Sequence, residues 1–148
     1  MVNDVATQAD ATVISNTGGY SSIKAVDFNT RKRIYTATTN AVSLADHLDK
    51  VITLKDVIIT PVETTDDKTG EVENYLRTVL IDVDGQAYAT GSSGVALALS
   101  NLFRIVGEPD QWGDFGLPIE VYEERGKNNY RYMTIRLADE AAESDAKK

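Results

Sequence analysis

The chain has no cysteine, so disulfides, thiolate metal sites and thiol nucleophiles are excluded together. Its single histidine, His47, follows Asp46 without a serine elbow or a partner at catalytic spacing, and reads as a surface or hydrogen-bonded residue. No apolar run approaches the roughly 20 residues that a membrane-spanning helix needs. The opening MVNDVATQADA has neither a basic n-region nor an apolar stretch, so no secretory signal is expected and the chain reads as cytosolic. Walker, dinucleotide-glycine and metal-ligand spacings are missing too. Asp82 and Asp84 (DVDG) open like a calcium loop, but the later Asp/Asn and the closing Glu do not follow. No enzyme, cofactor or metal is expected.

What is present is an ordinary globular composition: 148 residues, 42% apolar and 26% charged, enough for one domain with a sizeable core. Formal net charge is −8, which argues against duplex DNA, whose readers show a basic face. It does not argue against single strands, where ring stacking supplies much of the affinity and local charge outweighs the total.

Residues 1–10 are polar, without periodicity, and read as a flexible N-terminus; ATVIS adds a short edge strand ended by Thr17-Gly18-Gly19. Ser21–Phe28 and Arg33–Thr38 read as two strands around an Asn29–Lys32 turn, an N-terminal hairpin with a basic tip. Ala41–Lys50 reads as one short helix or two turns. Val51–Val62 is the longest β-rich run, TTDDKTG turns it, and Val72–Asp82 returns. Asp84-Gly85 then predicts a type I′ turn into Gln86–Thr90. A helix starts at Ser92/Ser93, with Val95, Leu99, Leu102, Phe103 and Val106 on one face and Gly107 and Pro109 as stop signals. Leu97 and Ile105 lie on the same helix and are available to cap a barrel. An irregular loop carries Trp112 and Phe115, and Ile119–Glu123 with Asn129–Leu137 forms a last hairpin. The expected fold is mainly β: an OB-like five-stranded barrel with one principal helix between strands 3 and 4, plus the N-terminal β-hairpin. The expected domain covers 11–137, followed by an acidic, disordered tail over 138–148.

Seven tyrosines stand against three phenylalanines and one tryptophan. Strand parity puts Met133, Ile135 and Leu137 on one face of the final strand, with Arg131 at its open end. Tyr130, Tyr132, Thr134 and Arg136 take the other face. Tyr75 and Arg77 oppose Leu76 and Leu80, and Lys24, Arg31, Arg33 and Tyr35 repeat the association in the N-terminal hairpin. Rings interleaved with cations are what a sequence-tolerant single-strand groove needs: bases stack at about 1–3 kcal/mol each while cations track phosphates. Glu120, Glu123 and Glu124 around Tyr122 read as a solvated strand face. The candidate contacts are Tyr88, Tyr130, Tyr132, Tyr75 and Tyr35 for bases, and Arg33, Arg77, Lys127, Arg131 and Arg136 for phosphates.

Three stretches carry a resemblance: SSIKAVDFNT, VDGQAYATGSSGVALALSNLFRIV and LPIEVYEERGKNNYRYMTIRL. With them the sequence resembles the single-stranded-DNA-binding proteins of protein-primed tailed bacteriophages that infect Gram-positive bacteria. The resemblance implies non-specific binding of single-stranded DNA, coating and protection of strands displaced during phage replication, and support of the phage DNA polymerase and replication proteins. It also implies tyrosine contacts to DNA, of which Tyr88, in the Asp-Gly-x-x-Tyr position, carries across by motif. The N-terminal segment and the Trp112 loop are longer than the family pattern and are places for self-association or a further stacking ring. The rival readings are a phage structural, assembly or adaptor protein that binds protein through the same faces, and an oligosaccharide binder.

Overall fold

The computed structural model describes residues 19–138. The expected flexible N-terminus, the expected ATVIS strand and the expected disordered tail after Ala138 therefore lie outside the described residues. In chain order the elements are β1 (Tyr20–Ser21), α1 (Phe28–Asn40), β2 (Val42–Ser43), β3 (Val51–Thr65), β4 (Val72–Asp82), β5 (Ala87–Thr90), α2 (Ser93–Val106), β6 (Leu117–Arg125) and β7 (Arg131–Leu137). Single 3-10 turns cover Leu44–His47, Pro109–Gln111 and Lys127–Asn129.

The strands form one mixed sheet in the order β2-β5-β4-β3-β6-β7, with β1 paired to the middle of β3. Only β2 and β5 run parallel among the described strands. Among the described residues no ladder joins β7 back to β2, and these residues form a curled half-barrel with two α-helices. Its curl starts in β3, where the register slips between Leu54 and Asp56. The extra residue changes the strand's parity, so Ile52 and Leu54 before it and Val57 and Ile59 after it all face one core. β3 also changes partners here, pairing with β6 over Val51–Leu54 and with β4 from Leu54 onward.

That core fills the concave side. Leu44, Leu54, Leu80, Leu99, Ile119 and Val121 are fully buried there. Each such side chain contributes about 1.5–3 kcal/mol on burial. Helix α2 supplies Val95, Leu99, Leu102 and Phe103 from one face, as their spacing predicts. Ser92 caps it by accepting the Val95 N–H, and Gly107 ends it at φ 102 with its N–H on the Phe103 carbonyl. Val106 lies half in solvent, and Leu97 and Ile105 point outward, 65% and 79% exposed, so neither caps the sheet.

The convex side holds a second, smaller core of Ile23, Ile58, Val79, Ile81 and Ala87. Here the expected N-terminal hairpin is corrected: residues 28–40 are helix α1, which lays Ile34 and Ala37 on that core. Two local devices favour the helix over the strand. Asp27 caps it, accepting the Thr30 N–H at 2.8 Å, and the Thr30 hydroxyl accepts the Asp27 N–H at 3.0 Å, a closed capping box. The Thr30 N–H, and after it the Thr30 hydroxyl at 2.9 Å, donate to the Asp27 carboxylate and hold its carboxyl below the ordinary range. Ile34, Ala37 and Ala41 then recur at helical spacing and gain a sheet to pack against, which outweighs the β-preference of the threonines.

The Asp-Gly turn is also of a different kind from the one expected. Only Gly85 has positive φ, at 92°, while Asp84 does not. The Gly85 N–H reaches the Asp82 carbonyl at 3.0 Å, and Asp82 Oδ1 accepts the Asp84 and Gln86 N–H groups at 2.9 Å each. This is a type I turn followed by a glycine bulge, with Asp82 holding the loop from inside.

Candidate nucleic-acid interface

The link between β5 and α2, Gly91-Ser92-Ser93-Gly94, is where tyrosines from distant strands meet. Tyr75 and Arg77 lie on the convex face of β4, opposite Leu76 and Leu80, as parity predicts. The Tyr75 ring covers Gly91 so closely that a methyl group there would sit 3.1 Å from the ring. At the other end of the link, a methyl on Gly94 would sit 3.0 Å from the Tyr132 ring and 2.6 Å from the Met133 carbonyl oxygen. The Ser92 hydroxyl donates to that same carbonyl at 2.7 Å, and the Thr134 hydroxyl donates to the Gly94 carbonyl at 3.3 Å. The start of α2 thus stands in for a further strand along the free edge of β7 and bridges the two sides of the half-barrel. This explains why Thr134, on the outward face by parity, is buried.

Around the link the surface is aromatic and basic. Tyr75 and Arg77 border an open depression of about 430 Å³ with Val42, Ser43 and Thr90. Tyr132 leans on Gly126 in the β6–β7 turn, and Tyr130, 68% exposed, ends that turn beside Lys127. Arg77 and Lys127 carry no ion pair among the described residues. Arg131 extends past the core, as its terminal position allows, and meets Glu123 at 3.8 Å. Arg136 binds Glu120 at 3.1 Å and covers the Tyr122 ring at 4.2 Å. Both arginines are solvent-exposed, so a phosphate can replace the carboxylate at little cost.

A family model described as Phage Single-stranded DNA-binding protein matches residues 14–138. The chain belongs to this family. No curated protein and no solved structure gives a significant match.

In this member of the phage single-stranded DNA-binding family, the remaining expected contacts fall elsewhere. Tyr88 lies on the concave side, half-buried against the main core. Its ring meets His47 edge-on at 5.0 Å, and its hydroxyl donates to Asp82 Oδ2 at 3.3 Å. Burial, then the Asp82 charge, pushes its hydroxyl above the ordinary tyrosine value. Arg33 and Tyr35 are on α1, not on a strand. Arg33 pairs with Asp56 at 3.6 Å, and Tyr35 is 70% exposed.

Sequence reasoning missed Tyr122, whose hydroxyl donates to Glu124 at 3.1 Å and whose ring lies under Arg136. Burial first, then that bond, raises its hydroxyl above the usual range. The signal was available, because Tyr122 stands across the ladder from Thr134 on the Tyr132 face. Trp112 is not an open ring: its indole N–H donates to the Gly107 carbonyl at 2.9 Å beside Phe103. The exposed aromatic of that loop is Phe115, 89% exposed. No helix is long and apolar enough to cross a membrane among the described residues.

Proposed function

We propose that this protein binds single-stranded DNA without base specificity, coating and protecting strands displaced during phage genome replication, on an OB-like scaffold. Tyr75, Tyr132 and Tyr130 stack bases along the Gly91–Gly94 link, with Tyr88 on the concave side. Arg77 and Lys127 meet phosphates directly, and Arg131 and Arg136 exchange a carboxylate for a phosphate. The observation that carries the reading is the convergence of Tyr75 and Tyr132, from strands far apart in sequence, on one glycine-bounded link inside the family-matched region. Every base has a face to stack on these rings, which suits sequence-tolerant binding.

The test is tyrosine emission during titration with oligo-dT, with duplex DNA and a neutral oligosaccharide as controls. Saturable quenching by oligo-dT alone, weakening as salt rises, is expected, because phosphate contacts release counterions. No response to any nucleic acid at low salt would sink the reading and leave a protein-binding assembly or adaptor role.

A further inference from the structure

Helix α1 carries a second aromatic and basic surface away from the Gly91–Gly94 link. Phe28, Arg31, Lys32 and Tyr35 recur at i, i+3, i+4 and i+7, so they form one stripe about 10 Å long. The stripe faces solvent: Phe28 is 66% exposed, and Arg31 and Lys32 are exposed as well. The Lys32 ammonium sits 5.4 Å from the centre of the Phe28 ring. Behind the stripe, Ile34 and Ala37 pack on the second core, and the capping box closes the helix start, so the helix that carries the stripe is anchored to the sheet.

Its charge runs against the rest of the chain. The helix holds Arg31, Lys32 and Arg33 and no acidic residue, in a protein of net charge −8. A merely solvated face would carry mixed charges and would not leave two large rings in water. Beside it, a groove of about 700 Å³ runs between α1 and the β4–β5 turn, lined by Asn29, Lys32, Arg33, Asn40 and Gln86. Its Asn40 and Ala87 end adjoins the Ala41 and Ala89 side of the depression at Tyr75 and Arg77.

We propose that α1 is a second single-stranded-DNA contact, reached by the same strand after it leaves Tyr75 and Arg77 along this groove. Arg31 and Lys32 meet phosphates, and Phe28 and Tyr35 offer ring faces to bases. This rests on the single-stranded-DNA reading of the link and lengthens it. Paired cations and rings suit a polyanion that carries flat bases better than an acidic peptide, which would use the cations and leave the rings unmatched.

The experiment compares the parent with Arg31→Gln/Lys32→Gln and with Tyr35→Ala, all at solvent-facing positions, with far-UV circular dichroism as the check on folding. Each is titrated with a long oligo-dT over a salt series, and the nucleotides occluded per protein are read at saturation. The double variant should show a log K against log salt slope shallower by about 1.4, at about 0.7 per lost phosphate contact. It should also occlude fewer nucleotides. Tyr35→Ala should lose about fivefold or more in affinity with its salt slope unchanged. Variants that match the parent in slope, affinity and occluded length would overturn the proposal, leave the link site standing, and point to an acidic protein as the partner of α1. A parent that does not bind oligo-dT would overturn both.

Discussion

Tyr88 and Asp82 close the β4–β5 turn from two sides: Asp82 Oδ1 holds the turn's backbone, while Oδ2 takes the Tyr88 hydroxyl at 3.3 Å. Tyr88 is therefore a structural residue as well as a proposed DNA contact, and two substitutions separate the roles. Tyr88→Phe keeps the ring and loses the bond, so oligo-dT affinity should stay within about twofold while stability drops by about 0.5–1.5 kcal/mol. Tyr88→Ala should lose about 1–3 kcal/mol of affinity as well as thermal stability. Paired titrations and thermal melts read both; unchanged binding by the alanine variant would take Tyr88 out of the interface.

Trp112 gives an internal control. Its ring is turned toward Phe103, with centroids 6.2 Å apart, and its N–H is occupied. Selective tryptophan excitation should show little change when oligo-dT saturates the protein, while tyrosine emission falls. Strong quenching of Trp112 would mean that the 107–117 loop joins the DNA path.

Much of the fold is written locally. The ends of β4, the serine cap and glycine stop of α2, and the face shared by Val95, Leu99 and Phe103 each follow from signals within a few residues. Helix α1 was hidden because Thr30, Ile34, Thr36 and Thr38 favour strands in isolation. Its Asp27/Thr30 capping box also lacks the usual Ser/Thr-x-x-Glu/Gln form. The site divides in the same way. Alternation along one strand shows that Tyr75 and Arg77 share a face. It does not show that curling of the sheet brings Tyr75 and Tyr132 to the two ends of one link, since that depends on the bulge in β3 and on α2 covering the β7 edge.

Thr78 is fully buried in β4, and its hydroxyl has no hydrogen-bond partner among the described residues. An unpaired buried hydroxyl costs about 1–3 kcal/mol, and valine has the same branching. Thr78→Val should therefore leave DNA binding unchanged and raise stability by about 1 kcal/mol in urea unfolding. A clear loss of stability would show that the hydroxyl is satisfied by buried water.

Alkaline pH should weaken the fold. Burial first, and the bond to Glu108 at 3.0 Å next, hold the Tyr20 hydroxyl well above its ordinary value of 10.0. Burial raises Tyr88 and Tyr122 as well. A raised folded value means that the folded state keeps its proton while the unfolded chain ionises near 10. The contribution is complete below that pH and is lost as pH climbs from there through the raised folded value. Unfolding midpoints measured from about pH 8 to 11 should fall, less steeply in Tyr20→Phe, which has no proton there to lose. Equal slopes in parent and variant would assign the loss to other groups.

The two glycines of the link should respond differently to alanine. At Gly94 the new methyl meets the Met133 carbonyl at 2.6 Å, a backbone atom that cannot turn aside. The helix gains up to about 1 kcal/mol in propensity, but the start of α2 must move off β7 and disturb the Ser92 and Thr134 bonds, a strain of about 1–3 kcal/mol. Gly94→Ala should therefore lower the melting temperature, and it should weaken oligo-dT binding because Tyr132 moves with β7. At Gly91 the methyl meets only the Tyr75 ring, at 3.1 Å, and a side chain can swing away. Gly91→Ala should stay within about 0.5 kcal/mol of the parent in stability, yet bind oligo-dT more weakly because Tyr75 leaves its place. If Gly91→Ala melts and binds like the parent, the position of Tyr75 over the link has no part in holding DNA.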